Sequence, residues 1–204
     1  GTQGITDPSL KLMALKSGMQ EGVHVFYGAH ATCLSGENKQ MSRDYPGVFS
    51  DWVVNHTPLD FAVYSAGAVA SMGPETGPKQ GFDRAQFMGE EMAKQVALIQ
   101  QFGFPYENQL NLSFFRIPLF LRQPMVKISE NWALRPWIFK WAFGHSPLEI
   151  SMIQLNDLVM IGLPCDFSGE LAVELYAYAK SKNLNLIISS FNGGYAGYVP
   201  DDKW

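Results

Sequence analysis

The sequence predicts an α/β fold, a mixed β-sheet flanked by helices, and three observations carry that expectation. The first lies in the last third, where Leu158–Leu163 and Leu184–Ser189 are short apolar runs. Between them Ser168 stands at a helix N-cap position, and Leu171, Leu175 and Tyr178 share one helical face that is expected to point inward. Two strands joined by such a helix form a βαβ unit, whose strands run parallel and whose crossover is expected to be right-handed. The second is the run LEISMIQL, Asn156-Asp157, LVMIGLP: two strands joined by a pair that tolerates the positive φ of a tight hairpin. The third is the upstream pair of strand-like runs, Val23–Tyr27 and Phe61–Tyr64, each bounded by small or polar residues.

Taken in order, Leu10–Leu15 fits a strand or a short helix and is closed by a turn at Ser17-Gly18. The strand Val23–Tyr27 ends at Gly28-Ala29, which leaves His30 at its carboxyl edge, where open α/β sheets place their ligands. Pro46-Gly47 mark a turn, and Val48–Val54 carries apolar residues at helical spacing. Phe61–Tyr64 runs into SAGAVASMGPETGP, whose small residues let the backbone approach a neighbour closely. Residues 83–102 are the clearest helix, with Asp83 as N-cap, Met88, Met92, Val96 and Ile99 on one face, and Gly103 as the stop. From Leu110 to Ile128 short strands are expected, separated by Pro118 and Pro124. Around LRPWIFKWAFGHSP, Trp132, Trp137, Phe139, Trp141 and Phe143 crowd together. Packing is the ordinary explanation of such a cluster, and one wall of an acyl-chain pocket is the functional one. Asn183 closes the last helix. Without repeats, low-complexity stretches or a linker, residues 1–204 are expected to form a single domain.

Composition bounds the function. The chain has 204 residues, 47% hydrophobic and 17% charged, enough for one sizeable core. A net charge of -4, with no Lys/Arg cluster interleaved with aromatics, argues against nucleic acid as a partner. No apolar run approaches the roughly 18 residues of a transmembrane helix. Export to the periplasm or the medium, with a leader removed upstream of Gly1, stays open, as does the oligomeric state. Cys33 and Cys165 make no disulfide framework. A single bridge and two buried thiols both stay open, and buried thiols are the commoner fate.

Parallel strands at Leu158–Leu163 and Leu184–Ser189 place their carboxyl ends on one edge. Asp166 follows the first and FNGGYAGYVPDD follows the second, so a carboxylate and a tyrosine-bearing glycine loop meet at a favoured ligand position.

Four stretches, in this order, resemble segments of the neutral/alkaline non-lysosomal ceramidase family, zinc amidases that cleave the N-acyl bond of ceramide. HATCLSGENKQMSRDYPG is similar to the loop that supplies a zinc histidine, and AVYSAGAVASMGP to the strand and loop that carry a serine beside the metal. GLPCDFSGEL resembles the segment whose acidic residue binds zinc, and FNGGYAGYVPDD the segment whose second tyrosine reaches the metal. The resemblance implies His30, Asp166 and Tyr198 as zinc ligands, with Tyr198, Tyr195 and Ser71 in catalytic roles. It also implies zinc as cofactor and a hydrophobic amide or lipid, sphingolipid in type, as substrate. Zinc accepts N and O donors in a roughly tetrahedral shell and lowers the pKa of bound water to about 7.

The resemblance covers the middle to later part of the family's catalytic domain, so the chain is expected to be a fragment of a larger catalytic domain or a degenerate relative. The family's upstream His-x-His segment has no counterpart here, Ala70 stands at the expected serine with Ser71 next to it, and Asp166 replaces a glutamate. The site is therefore expected to be incomplete in this chain. A non-catalytic lipid- or ligand-binding module derived from the same fold is the alternative. A metal-free hydrolase using Ser71 with His30 is a third reading, but no nucleophile-elbow sequence surrounds Ser71.

Overall fold

The structure, a computed structural model, describes residues 7–120 and 148–199, together with 127–129, 132–133, 135, 137–138 and 141. Strand β1 (Lys11–Ser17) turns at Gly18, whose φ of 60° suits glycine, and pairs antiparallel with β2 (Gln20–Tyr27), Lys11 facing Phe26. Of the two open readings of Leu10–Leu15, the strand is the one formed.

Helix α1 (Asp44–His56) begins four residues earlier than its apolar spacing predicts. Asp44 explains the difference. It sits at φ 52°, and its buried carboxylate accepts from the backbone N–H groups of Cys33 at 2.9 Å, Leu34 at 3.2 Å and Tyr45 at 2.7 Å. One side chain thus ties the loop after His30 to the start of the helix. From α1 the chain enters β3 (Phe61–Ala66), which lies parallel to β2 with Gly22 beside Phe61 and Tyr27 beside Ala66. Strand, helix and parallel strand make a first βαβ unit.

Helix α2 (Gly81–Gln101) packs on α1. Asp83 does not cap it. Gln80 is the N-cap residue, because Gly81 takes a positive φ of 57° and lets the helix start two residues earlier. Asp83 lies in the first turn, where a carboxylate favours the positive end of the helix dipole. The stop at Gly103 holds, with φ 74° and an N–H donated to the Gln100 carbonyl at 2.9 Å. Tyr45, Phe49, Val53, Ala93 and Val96 close over Val23 and Val25 to form the first core.

The second half begins with β4 (Leu112–Leu119) and a small antiparallel pair, β5 (Lys127–Ser129) with β6 (Trp132–Ala133). Pro118 does not separate two strands; it lies within β4, opposite Glu149. That is tolerated because β4 is an edge strand, where a missing N–H disrupts less of the ladder. Pro124 lies outside the described residues. Strands β7 (Leu148–Leu155) and β8 (Leu158–Gly162) form the expected hairpin, Asn156 taking a φ of 52°. After β9 (Asp166–Phe167), helix α3 (Gly169–Ser181) leads to β10 (Asn185–Ser189), parallel to β8 with Leu158 beside Asn185 and Gly162 beside Ser189. This is the βαβ unit predicted from sequence, but its helix packs through Ala172, Tyr176 and Ala179, while Leu175 and Tyr178, expected to face inward, are exposed. Ser168 caps α3, its Oγ accepting from the Glu170 N–H at 3.2 Å, and Asn183 turns the chain at φ 57°. Strand β11 (Tyr198–Val199) lies parallel to β9.

The fold is α/β, and its strands divide into a three-stranded sheet, β1-β2-β3, and a four-stranded sheet, β10-β8-β7-β4, each of mixed direction, besides the two small pairs. Ser190, buried just past β10, joins the sheets. Its N–H donates to the Ala66 carbonyl at 3.0 Å and its Oγ to the Gly67 carbonyl at 2.6 Å, while the Phe167 N–H donates to that Oγ at 3.3 Å. Gly67 in turn donates to the Tyr27 carbonyl at 2.9 Å. The carboxyl ends of the two βαβ units therefore meet. Cys33 and Cys165 are buried free thiols, one in the first core and the other in the second.

Candidate functional site

His30 stands where β2 gives way to its loop, and its backbone is fixed on both sides. Its own N–H donates to the Met72 carbonyl at 3.1 Å. The preceding carbonyl, that of Ala29, lies within hydrogen-bond reach of two tyrosine hydroxyls, Tyr45 at 2.6 Å and Tyr64 at 3.1 Å, which are themselves 2.6 Å apart, so one phenol donates to the carbonyl and the other to its neighbour's oxygen. Burial raises Tyr64 to about 12 and raises Tyr45 further, so both hydroxyls keep their protons and remain donors. No local pattern marks Tyr45 or Tyr64 as part of a site; only the packing of α1 on β3 brings them to Ala29.

Asp166 arrives from the second half. Backbone bonds from the Asp166 N–H to the Gly197 carbonyl, 2.9 Å, and from the Ser168 N–H to the Val199 carbonyl, 3.1 Å, hold its strand against the tyrosine loop. Ser168 takes the cap of α3, so the Asp166 carboxylate is free for other work, and it is only 1% exposed. Its Oδ2 accepts from the Tyr195 hydroxyl at 2.6 Å. That hydrogen bond, followed by desolvation, raises Tyr195 to about 12, which keeps the phenol protonated and donating.

The other oxygen faces the histidine. His30 Nε2 and Asp166 Oδ1 are 3.5 Å apart, and both are buried atoms with no hydrogen-bond partner. A buried donor or acceptor left unpaired costs about 1–3 kcal/mol, so two orphans facing each other call for an explanation. The separation is long for a hydrogen bond. Two donors each about 2.0–2.2 Å from a tetrahedral zinc ion stand roughly 3.3–3.6 Å apart, so this N and O pair has the spacing that one shared ion requires.

Tyr198 pairs with Asp166 across β11 and β9, and its ring centroid lies 6.1 Å from that of His30. Phe191 stands 6.3 Å from His30 and stacks at 6.1 Å with Tyr195, giving the site an aromatic wall that sequence reasoning passed over. Its signal was faint: an aromatic two residues after the run Leu184–Ser189, held at a φ of 60°. His30, Asp166, Tyr195 and Tyr198 are thus drawn together. Ser71 is not joined to His30. Its hydroxyl donates to Glu170 at 2.8 Å and accepts the Gly169 N–H at 3.1 Å, at the start of α3, while His30 Nε2 has no hydrogen-bond partner. The Ser71–His30 dyad of a metal-free hydrolase is therefore not formed. Among the described residues no group of three or more His, Cys, Asp and Glu side chains is arranged to hold a metal.

Site and fold together define an α/β protein with a histidine–carboxylate pair at the carboxyl edge of its strands. No family model matches the chain, and no curated protein matches it in sequence. Solved structures do match in fold. Neutral ceramidase from Pseudomonas aeruginosa superposes with a TM-score of 0.62 at 14% identity, over 87% of this chain and 38% of that one. A ceramidase complexed with C2 superposes with a TM-score of 0.64 at 15% identity, over 88% of this chain and 40% of that one. The chain has the ceramidase type of fold and spans well under half the length of those structures.

Proposed function

We propose that this chain carries part of a zinc-dependent hydrolase site for N-acyl amide bonds of the ceramide type, with His30 Nε2 and Asp166 Oδ1 as two ligands and Tyr198 beside them. The observation that carries this reading is the buried, unpartnered pair at 3.5 Å, in a fold shared with neutral ceramidase. Zinc, when bound, supplies a water of pKa near about 7 and a Lewis acid for the amide carbonyl.

The chain's own residues do the rest. Tyr195 holds one carboxylate oxygen of Asp166, which leaves the other directed at His30. The Tyr45 and Tyr64 hydroxyls hold the Ala29 carbonyl and with it the backbone at His30. Such outer partners fix ligand orientation, and losing one typically lowers metal affinity about 10- to 100-fold. Phe191, Tyr195 and Tyr198 offer an apolar rim for a hydrophobic acyl group. Catalytic zinc sites ordinarily have three protein ligands, and among the described residues no third His, Cys, Asp or Glu joins His30 and Asp166, the Tyr195 and Tyr198 phenols being the other polar groups beside them, so the isolated chain is expected to hydrolyse N-acyl sphingoid substrates weakly or not at all.

Zinc titration by calorimetry tests the reading. Wild type is expected to bind zinc, and His30→Ala and Asp166→Ala each to lose more than about 100-fold in affinity. Wild type that takes up no zinc, or variants that bind it as well as wild type, would overturn it. That no third His, Cys, Asp or Glu donor stands at the site among the described residues favours a second reading, a lipid- or ligand-binding module without catalysis. Chelator-sensitive hydrolysis by the purified chain would exclude that second reading.

A further inference from the structure

The two cores face each other across a gap that neither fills. Leu10 and Leu12, just before and on β1, lie half-buried against the first core, and Leu186, on β10, lies half-buried against the second. Strands β1 and β10 are each the outermost strand of their sheet. Between them opens a cleft of about 580 Å³, which Leu158, Leu184 and the last turns of α3 complete. That volume falls within the roughly 300–1,000 Å³ of ordinary small-molecule sites. Leu158 opens β8 and Asn185 opens β10, so the cleft lies toward the amino ends of strands whose carboxyl ends lead to Asp166 and the tyrosine loop.

The side chains that give the cleft its polar character are proton donors. Lys11, Lys180 and Tyr176 line it, and among the described residues no carboxylate does. Lys11 is already engaged: its Nζ donates to Ser9 Oγ at 2.5 Å, stands 3.9 Å from Asp7 Oδ2 and lies 4.2 Å from the centroid of the Tyr176 ring. The last of these contacts ties β1 to α3 across the cleft. Asp157 is engaged as well, accepting from Asn185 Nδ2 at 2.7 Å. Lys180, by contrast, makes no ion pair or side-chain hydrogen bond among the described residues, and the Tyr176 hydroxyl makes no hydrogen bond there. Burial, followed by the Asp7 carboxylate, raises the Tyr176 phenol above its ordinary value, so it keeps its proton and can donate. Two donors without an acceptor thus share one largely apolar cleft.

We propose that this cleft binds a single-chain amphiphile with an anionic head, a medium-chain carboxylate, whose head accepts from Lys180 Nζ and the Tyr176 hydroxyl and whose chain lies along Leu12, Leu158 and Leu186. Charge and shape select this occupant. An ionised carboxylate accepts hydrogen bonds and donates none, and bonds in which both partners are charged are about twice as strong as neutral ones. The leucines of the two cores offer apolar surface on two sides, where each buried methylene strengthens binding about fourfold. A cationic amphiphile would meet Lys180 with like charge. A peptide strand added to the β10 edge would use backbone groups and leave both side-chain donors idle. Neither His30, Asp166 nor a metal takes part, so the cleft and the hydrolase reading stand or fall separately.

Calorimetric titration of the whole chain with sodium decanoate below its micellar concentration, without zinc, tests this. The expected result is saturable binding at one site with Kd below about 1 mM and a negative heat-capacity change. Octanoate, two methylenes shorter, should bind about tenfold more weakly. Lys180→Gln should weaken decanoate binding about tenfold and Tyr176→Phe roughly fivefold. Lys182→Gln removes the same charge two residues along, outside the cleft, and should bind as wild type does. Wild type with no saturable binding at about 1 mM would overturn the proposal, as would Lys180→Gln that binds no more weakly than Lys182→Gln. So would decyltrimethylammonium that binds as well as decanoate, or self-association of the chain in sedimentation with no uptake of decanoate.

Discussion

The two halves of the molecule are built on the same plan and finished differently. In the first, β2, α1, β3 and α2 bury Tyr45, Phe49, Val23, Val25 and Val53 completely, and even the polar Asp44 is enclosed and satisfied by three backbone N–H groups. In the second, α3 covers β8 and β10, but β7 is only half-buried and β4 lies open along its length. The same kinds of residue occupy both places; Phe49 and Phe115 differ in where the chain puts them. A βαβ unit buries its strands where helices cover them, and an edge strand added by a hairpin brings no helix of its own. The first half is a finished core, and the second presents an apolar edge to its surroundings.

If that contrast is right, the largest stability change should come from the finished core. Phe49→Ala is expected to destabilise the protein by about 3–5 kcal/mol in urea unfolding, the usual cost of emptying a fully buried aromatic site. A cost below about 1 kcal/mol would show that the first half is loosely packed and would remove the contrast.

Ser190→Ala addresses the seam between the halves. It leaves the Gly67 carbonyl and the Phe167 N–H without the Ser190 Oγ, and should cost about 1–3 kcal/mol. If the halves unfold together in wild type, a second transition in the variant would mark Ser190 as the residue that couples them. A single unshifted transition would mean the sheets are held by other contacts.

Tyr45→Phe sharpens the role of the buried tyrosine pair. It removes one hydroxyl of the pair that serves the Ala29 carbonyl and should cost about 1 kcal/mol, with the Tyr64 hydroxyl left to donate there. Zinc affinity separates support of His30 from packing alone: about tenfold weaker binding is expected for support, and an unchanged constant for packing.

On the open edge the effect should be small. Phe115→Ala is expected to shift stability by less than about 1 kcal/mol, since a half-exposed side chain has little transfer free energy to lose. A loss matching that of Phe49→Ala would mean that β4 is covered in solution by something that binds it.

The smallest expected effect is no reaction. Burial, followed by the Asp44 carboxylate, raises the Cys33 thiol to about 12, above its ordinary value of 9.0. The sign follows: the folded state favours the protonated thiol, so this contribution is fully present below about pH 9 and is lost as pH rises toward about 12. At pH 8, iodoacetamide should label neither cysteine in the native chain and both after denaturation. Rapid native labelling of Cys33 would show the loop after His30 to be open.

Much of this was written along the chain. The Asn156-Asp157 hairpin, the Ser168 cap, the stop at Gly103 and the parallel pair β8 and β10 all follow from local chemistry: a turn that needs positive φ, a hydroxyl that accepts a first-turn N–H, an apolar run between polar bounds. Local reasoning also placed His30, Asp166 and the tyrosine loop at strand ends, because residues that follow parallel strands share an edge. It misplaced the start of α2 at Asp83, since a glycine with positive φ just before a helix leaves little compositional trace. It took the Pro118 position for a break, because a proline in an edge strand and a proline between strands look alike in sequence.

What the sequence alone determined, then, is the set of local elements and the edge on which the candidate site stands. What tertiary structure alone decided is which atoms meet there. The 3.5 Å approach of His30 Nε2 to Asp166 Oδ1 joins residues 136 positions apart and depends on Ser190 drawing the ends of two sheets together. The Ala29 carbonyl is held by Tyr45 and Tyr64, which come from a helix and a strand with no shared motif. The open face of β4 was invisible for the same reason. Apolar residues in a strand state a need to be covered, but the covering element is set by long-range packing, which no local window contains.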